Sequence, residues 1–202
     1  MPVAVEGRRR LQPEERKKLL LRDAVEVFAK RGIGRGGHTE IAELGGVSVA
    51  TVFNYFKTRE ALVDAVLTEV EDYLLGMAEQ INEEYSNPVE AIRANVNGFL
   101  QACEDNPDYI KVWLEWSASV RDEIWPQYLA FQNKILDIFS DQVDRGIKMG
   151  LLDMGLAPRE RARWALGNSQ MRVSMIFDPA GKPAGMEQMV ERGFDHILGV
   201  KH

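Results

Sequence analysis

The sequence predicts an all-α chain of about nine helices, a three-helix head followed by a helical body. Three observations carry this expectation. Apolar residues recur at three- and four-residue spacing along nearly the whole chain, and no stretch alternates with the period of a strand. Proline stands at helix-start positions (Pro13, Pro88, Pro107, Pro158), where its missing N–H costs nothing. Two short amphipathic runs, 38–45 and 48–56, flank the Gly45-Gly46-Val47 turn, the rhythm of a helix-turn-helix.

The elements follow in order. A first helix covers about 13–31, with Leu20, Ala24, Val27 and Phe28 on one stripe and Gly32 as its stop. The two short helices come next. A long helix starts after Thr58, a suitable N-cap, and runs to about 84. Asn87-Pro88 opens a helix to about 104, and Asn106-Pro107 opens one to about 121. A helix over about 123–148 ends by Gly150, another runs from Pro158 to about 177, and the last covers about 184–198. The natural division is 1–57 as the head with a basic N-terminal arm, and 58–202 as the body.

In the second short helix, Ser48 is placed to cap the first turn and is counted among the expected DNA-contact residues. Val49, Val52, Phe53 and Phe56 fall at i, i+3, i+4 and i+7, which predicts one apolar stripe facing the head's own core. Ala50, Thr51, Asn54 and Tyr55 then form a slim outer face that a major groove about 12 Å wide can admit. Asn54 is the expected base reader, because a carboxamide pairs bidentately with adenine. Charge distribution agrees. Residues 1–60 carry 12 Lys/Arg against 8 Asp/Glu, and residues 61–202 carry 13 against 23. A basic end thus joins an acidic body within a chain of net charge −6, a pattern suited to DNA contact on one face.

Other function classes find little support. With 45% hydrophobic and 28% charged residues the composition is that of an ordinary globular protein. No apolar run approaches the roughly 20 residues of a membrane span, and the arginine-bearing N-terminus lacks the apolar core of a secretory signal, so a cytoplasmic protein is expected. The single cysteine, Cys103, excludes an internal disulfide and reads as a buried small hydrophobe. Gly32-Ile33-Gly34-Arg35-Gly36-Gly37 spells a dinucleotide fingerprint, but a helix rather than a strand precedes it. Those glycines fit a tight turn near DNA, with Arg35 near phosphate. His38, His196 and His202 lack metal-ligand spacing, and no nucleophile–base pattern occurs. No enzyme activity, cofactor or metal is expected.

The head motif Thr39…Ile41-Ala42…Gly46-Val47-Ser48…Ala50-Thr51-Val52-Phe53…Tyr55-Phe56…Arg59-Glu60-Ala61-Leu62 resembles the TetR family of transcriptional regulators. Residues 31–38, 47–56 and 111–119, with Trp125-Pro126, resemble its LuxR/HapR/SmcR group of quorum-sensing master regulators. The resemblance implies that Arg8 and Arg10 of the arm enter the minor groove. It also implies that Thr39, Lys57 and Thr58 sit on the DNA backbone, and Tyr55 is expected to add a backbone or thymine-methyl contact. Two departures from the group stand out: Gly45-Gly46 replaces an Ala-Gln type of pair, and Lys57 replaces a proline.

For the body, the resemblance implies a homodimer through the last two helices. Apolar surface there comes from Leu166, Met171, Val173, Met175, Ile176, Met186, Met189, Val190, Phe194 and Ile197. It also implies a cavity for a small hydrophobic ligand, with candidate walls Leu74, Met77, Val96, Leu100, Trp113, Trp116, Tyr128, Leu129 and Gln132. Gln132 stands where the group tends to have asparagine. The expected function is a dimeric regulator that binds a double-stranded operator, linked to quorum sensing, repressing and also activating genes. The alternatives are a plain TetR-type repressor released by a small hydrophobic inducer, and, from another class, a small-molecule-binding or enzymatic helical protein whose basic head is incidental.

Overall fold

A computed structural model describes residues 12–120, 123–180 and 185–201. Among them are nine helices: α1 (Pro13–Arg31), α2 (His38–Gly45), α3 (Val49–Tyr55), α4 (Arg59–Glu84), α5 (Pro88–Asp105), α6 (Pro107–Ala118), α7 (Trp125–Lys148), α8 (Pro158–Ile176) and α9 (Met186–Leu198). The all-α expectation holds, and local chemistry explains the boundaries. The Gln12 N–H donates to Glu15 at 3.0 Å ahead of Pro13. Asn87 accepts from the Val89 N–H at 2.9 Å at the start of α5. The α6 helix stops at Ala118, short of the expected 121. No described strand is present, but an isolated antiparallel bridge joins Leu152 to Val200.

The chain forms two compact units, Met1–Glu69 and Val70–His202, and the division falls within α4. In the first, α1 packs on α2 and α2 on α3. Its core contains Leu20, Ala24, Phe28, Ile41, Val52, Phe56 and Leu62, all nearly inaccessible to solvent. In the second, α7 and α8 pack closely, α5 lies against both, and α9 lies against α8. Ile92, Leu136, Phe139, Val143, Ala162, Phe194 and Leu198 belong to its core. Cys103 is buried, as its reading as a small hydrophobe requires.

The C-terminal end of α9 is fastened by a buried arginine. Arg161, 1% exposed, donates through one Nη to the Leu198 carbonyl at 2.5 Å and through the other to the Asp153 carboxylate. The Asp153 N–H donates to Gly199 O at 2.9 Å, and the Lys201 N–H to Leu151 O at 3.1 Å. The Gly155 N–H and the Arg161 guanidinium hold the Asp153 carboxyl below the usual carboxylate range.

Candidate nucleic-acid interface and ligand cavity

Ser48 caps α3 as expected, its Oγ accepting the Thr51 N–H at 3.1 Å. Gly46 ends α2 at φ +61°, a left-handed conformation that a side chain would strain, so glycine is suited to this turn. Thr58 caps α4 through the Ala61 N–H at 3.1 Å, and Thr58 and Lys57 are both exposed.

The orientation of α3 differs from expectation. Val52 and Phe56 are buried, but Val49 is 37% and Phe53 44% exposed, so the four residues do not form one core-facing stripe. A seven-residue helix meets the head core along a single line, and Val52 with Phe56 fills it. The exposed face therefore runs through Val49, Ala50, Phe53 and Asn54, while Thr51 and Tyr55 are half-buried at its edge. Thr39 is exposed at the start of α2.

His38 locks this arrangement. Its Nε2–H donates to the Phe56 carbonyl at 2.7 Å, and its ring stacks on Phe53 with centroids 3.9 Å apart and planes 6° from parallel. A carbonyl can only accept, so Nε2 carries a proton. The glycine-rich loop is held from the other side by Arg59, whose guanidinium donates to Ile33 O at 2.6 Å and to Gly36 O. No strand precedes this loop, and it serves to join α1 to α2 rather than to cradle a nucleotide. Arg35 is exposed and donates its Nε–H to Arg31 O at 3.2 Å. Arg8 and Arg10 lie outside the described residues.

Gly36 is a point of close approach. A Cβ there would stand 2.7 Å from Phe28 Cδ1 and 3.3 Å from Val27 Cγ1, and both side chains are buried. Gly36→Ala is expected to destabilise the head by about 1–3 kcal/mol through overpacking, read as a lower urea midpoint at unchanged slope.

In the second unit a cavity of about 270 Å³ opens between α4, α5, α6, α7 and α8. Leu74, Met77, Val96, Trp113, Tyr128 and Gln132 stand on its wall. Three expected wall residues do not. Trp116 is fully buried elsewhere, donating its Nε1–H to Ile124 O at 3.1 Å and stacking on Phe131. Leu129 is 38% exposed, and Leu100 packs on the main core. The sequence reading missed Phe99, Phe131, Phe139 and the α8 residues Ser169 and Gln170, because which turn of α8 faces inward depends on α7.

Most of the wall is apolar, and its hydrogen-bonding groups are neutral apart from Arg163, which is largely exposed. Gln132 donates to the Tyr128 hydroxyl at 3.4 Å, Gln170 to Ser117 Oγ at 3.1 Å, and Ser117 to Leu114 O at 2.7 Å. Burial pushes the Tyr128 phenol above its ordinary pKa, so it stays neutral near pH 7. Among the described residues no group of acidic, histidine and cysteine side chains could hold a metal ion.

A groove along α8, reaching Ile197 of α9, mixes apolar side chains with Glu160, Arg163 and Asn168. Trp164 is 59% and Met171 41% exposed, beside Leu156 and a half-buried Ile197 around one shallow groove. Val173 and Phe194 are instead core residues, and Leu166 packs against the core and the cavity. Met175 and Ile176 are half-buried. The side chains of Met186, Met189 and Val190 lie outside those described. Trp164 is absent from the expected surface because it directly follows the charged run Arg159–Arg163.

The family model for "Bacterial regulatory proteins, tetR family" matches residues 20–66, which hold α2 and α3. The HTH-type transcriptional regulator LuxR of Vibrio harveyi is 43% identical over 148 residues, covering 71% of this chain and 72% of that protein. The chain belongs to the TetR family. It is thus a DNA-binding transcriptional regulator of TetR type. The HTH-type transcriptional repressor KstR2 of Mycolicibacterium smegmatis is 25% identical over 195 residues, covering 93% of this chain and 91% of that protein. Among solved structures, a TetR-family regulator from Agrobacterium tumefaciens superposes with a TM-score of 0.78 at 17% identity, covering 90% of this chain and 98% of that one. AibR in complex with isovaleryl coenzyme A and operator DNA gives 0.73 at 20% identity, covering 92% and 100%. These two structural likenesses establish the TetR fold. No helix among the described residues is long and apolar enough to cross a membrane.

Proposed function

We propose that the protein is a homodimeric, sequence-specific operator-binding regulator linked to quorum sensing. The observation that carries this reading is the outward face of α3. It is capped by Ser48, seated on Val52 and Phe56, and presents Asn54 to solvent. Identity to LuxR, together with the sequence blocks shared with quorum-sensing master regulators, supports the regulatory context. In this reading Asn54 contacts a base, and Thr39, Lys57 and Thr58 contact phosphates with Arg35 nearby. Ala50 allows close approach, Thr51 and Tyr55 border the contact, and Arg8 and Arg10 reach the adjacent minor groove. The exposed surface around Trp164 and Met171 pairs two chains through α8 and α9, so that two heads address half-sites about 34 Å or a related spacing apart.

The cavity favours a second, compatible reading, in which a small ligand alters operator binding. Its volume lies just below the roughly 300–1,000 Å³ of drug-sized sites, which points to a small, largely apolar molecule with a neutral polar group for Tyr128, Gln132 or Gln170. Because α4 passes from the head unit into the cavity wall, ligand occupancy has a covalent route to the head.

Genome-wide mapping of bound sites at low and high cell density tests the proposal. The expected result is a palindromic motif whose occupancy changes with density. Density-independent occupancy contradicts the quorum-sensing link, and no enriched motif contradicts operator recognition. On a mapped site, Asn54→Ala is expected to weaken binding by about 1–3 kcal/mol and to flatten discrimination at one base pair. Equal losses on every sequence would make Asn54 a backbone contact.

A further inference from the structure

The outward face of α3 holds one amide, one methyl and two large apolar side chains. Val49 and Phe53 are well exposed although the head core is complete without them. Phe53 is also fixed in place. Its ring lies flat on the His38 imidazole, which is itself bonded to the Phe56 carbonyl. The stack covers one side of the ring and sets its direction, so that little freedom remains to be lost on binding.

We propose that Val49 and Phe53 are specificity-determining residues that read thymine 5-methyl groups in the major groove. This rests on the reading of α3 as the DNA-reading helix. Along the major-groove edge of the four bases, the thymine methyl is the apolar feature, and small apolar side chains and phenylalanine are suited to meet it. A four-residue spacing places Val49 and Phe53 on one side of α3, about 6 Å apart along its axis. Two base-pair steps of about 3.4 Å span nearly the same distance. Asn54, adjacent to Phe53, presents the group that suits adenine. The outward face of α3 carries no arginine or lysine of the kind that reads guanine.

Replacing single thymines with deoxyuridine in a mapped operator tests this, because the exchange removes only the methyl and keeps every hydrogen-bonding group. With the full-length wild-type protein, affinity is expected to fall about fourfold for each contacted methyl, at one or two positions per half-site. Val49→Ala is expected to bind the thymine operator more weakly and to become insensitive to deoxyuridine at one of those positions. Phe53→Leu, with helicity checked by circular dichroism, is expected to lose sensitivity at the other. Specific binding that no deoxyuridine weakens overturns the proposal and leaves operator recognition by α3 standing. Sensitivity that persists unchanged in both variants overturns it too. Absence of specific binding to any mapped site overturns the reading of α3 itself, and the methyl contacts with it.

Discussion

Trp164→Glu is expected to split the proposed dimer and weaken operator binding by about 10²- to 10⁴-fold. The tryptophan is 59% exposed on a face that also presents Met171 and Leu156. An exposed apolar cluster of this kind is surface that a soluble chain covers by association. Glutamate there replaces the apolar indole with a carboxylate that association must desolvate, which costs more than the lost contact alone. Operator affinity follows, because a dimer binds its second half-site as an intramolecular event, and the gain in avidity is of that size. The substituted side chain has no role in the core, so helicity should be retained while sedimentation shows half the mass. A variant that stays dimeric with unchanged affinity would place the interface elsewhere.

Arg161→Met is expected to lower folding stability by about 2–4 kcal/mol. The substitution strands the Leu198 carbonyl and removes a charge-assisted donor from the buried end of α9. Methionine fills part of the space but offers no donor. Asp153 has a side chain 54% exposed, so water can replace the guanidinium there and its share is small. The contribution of Asp153 has a defined pH dependence. Its folded carboxyl titrates below its unfolded value, so the stabilisation is complete above about pH 5 and fades as pH falls through the folded pKa. The difference between wild type and variant in urea melts should therefore narrow in acid. An unchanged midpoint at pH 7 would show that the arginine does not fasten α9.

Helix boundaries were legible because they depend on chemistry within a few residues. Pro13, Ser48, Thr58 and Asn87 mark starts that the structure repeats closely, and α1 and α2 span their expected residues. What depended on distant neighbours was not legible. Periodicity alone sends Val49 and Phe53 toward the core, yet a short helix touching its unit along one line leaves them outside. Trp113 and Trp116 are one helical turn apart and chemically identical. Different distant partners separate them: Trp113 meets Phe99 edge-on at the cavity wall, while Trp116 stacks on Phe131 and donates to Ile124 O. The Arg161 fastening and the Leu152–Val200 bridge join segments about 40–50 residues apart, and no local pattern announces them.

The exposed aromatic on α3 and the histidine beneath it also recast the two departures in the head. Gly46 adopts the left-handed turn between α2 and α3, and Lys57 places an exposed charge just beyond the exposed face of α3. The first fixes geometry and the second adds a candidate phosphate contact. Both are compatible with operator recognition by this face.

The most direct test of the central claim is the affinity of the full-length protein for a mapped palindromic site and for its scrambled counterpart, followed from about 50 to 200 mM salt. If two α3 helices read the operator, both affinities fall linearly on logarithmic axes as counterions are released. The mapped site then stays at least about 10³-fold tighter throughout. Equal affinity for both duplexes, or no binding to either at the lowest salt, would contradict the account.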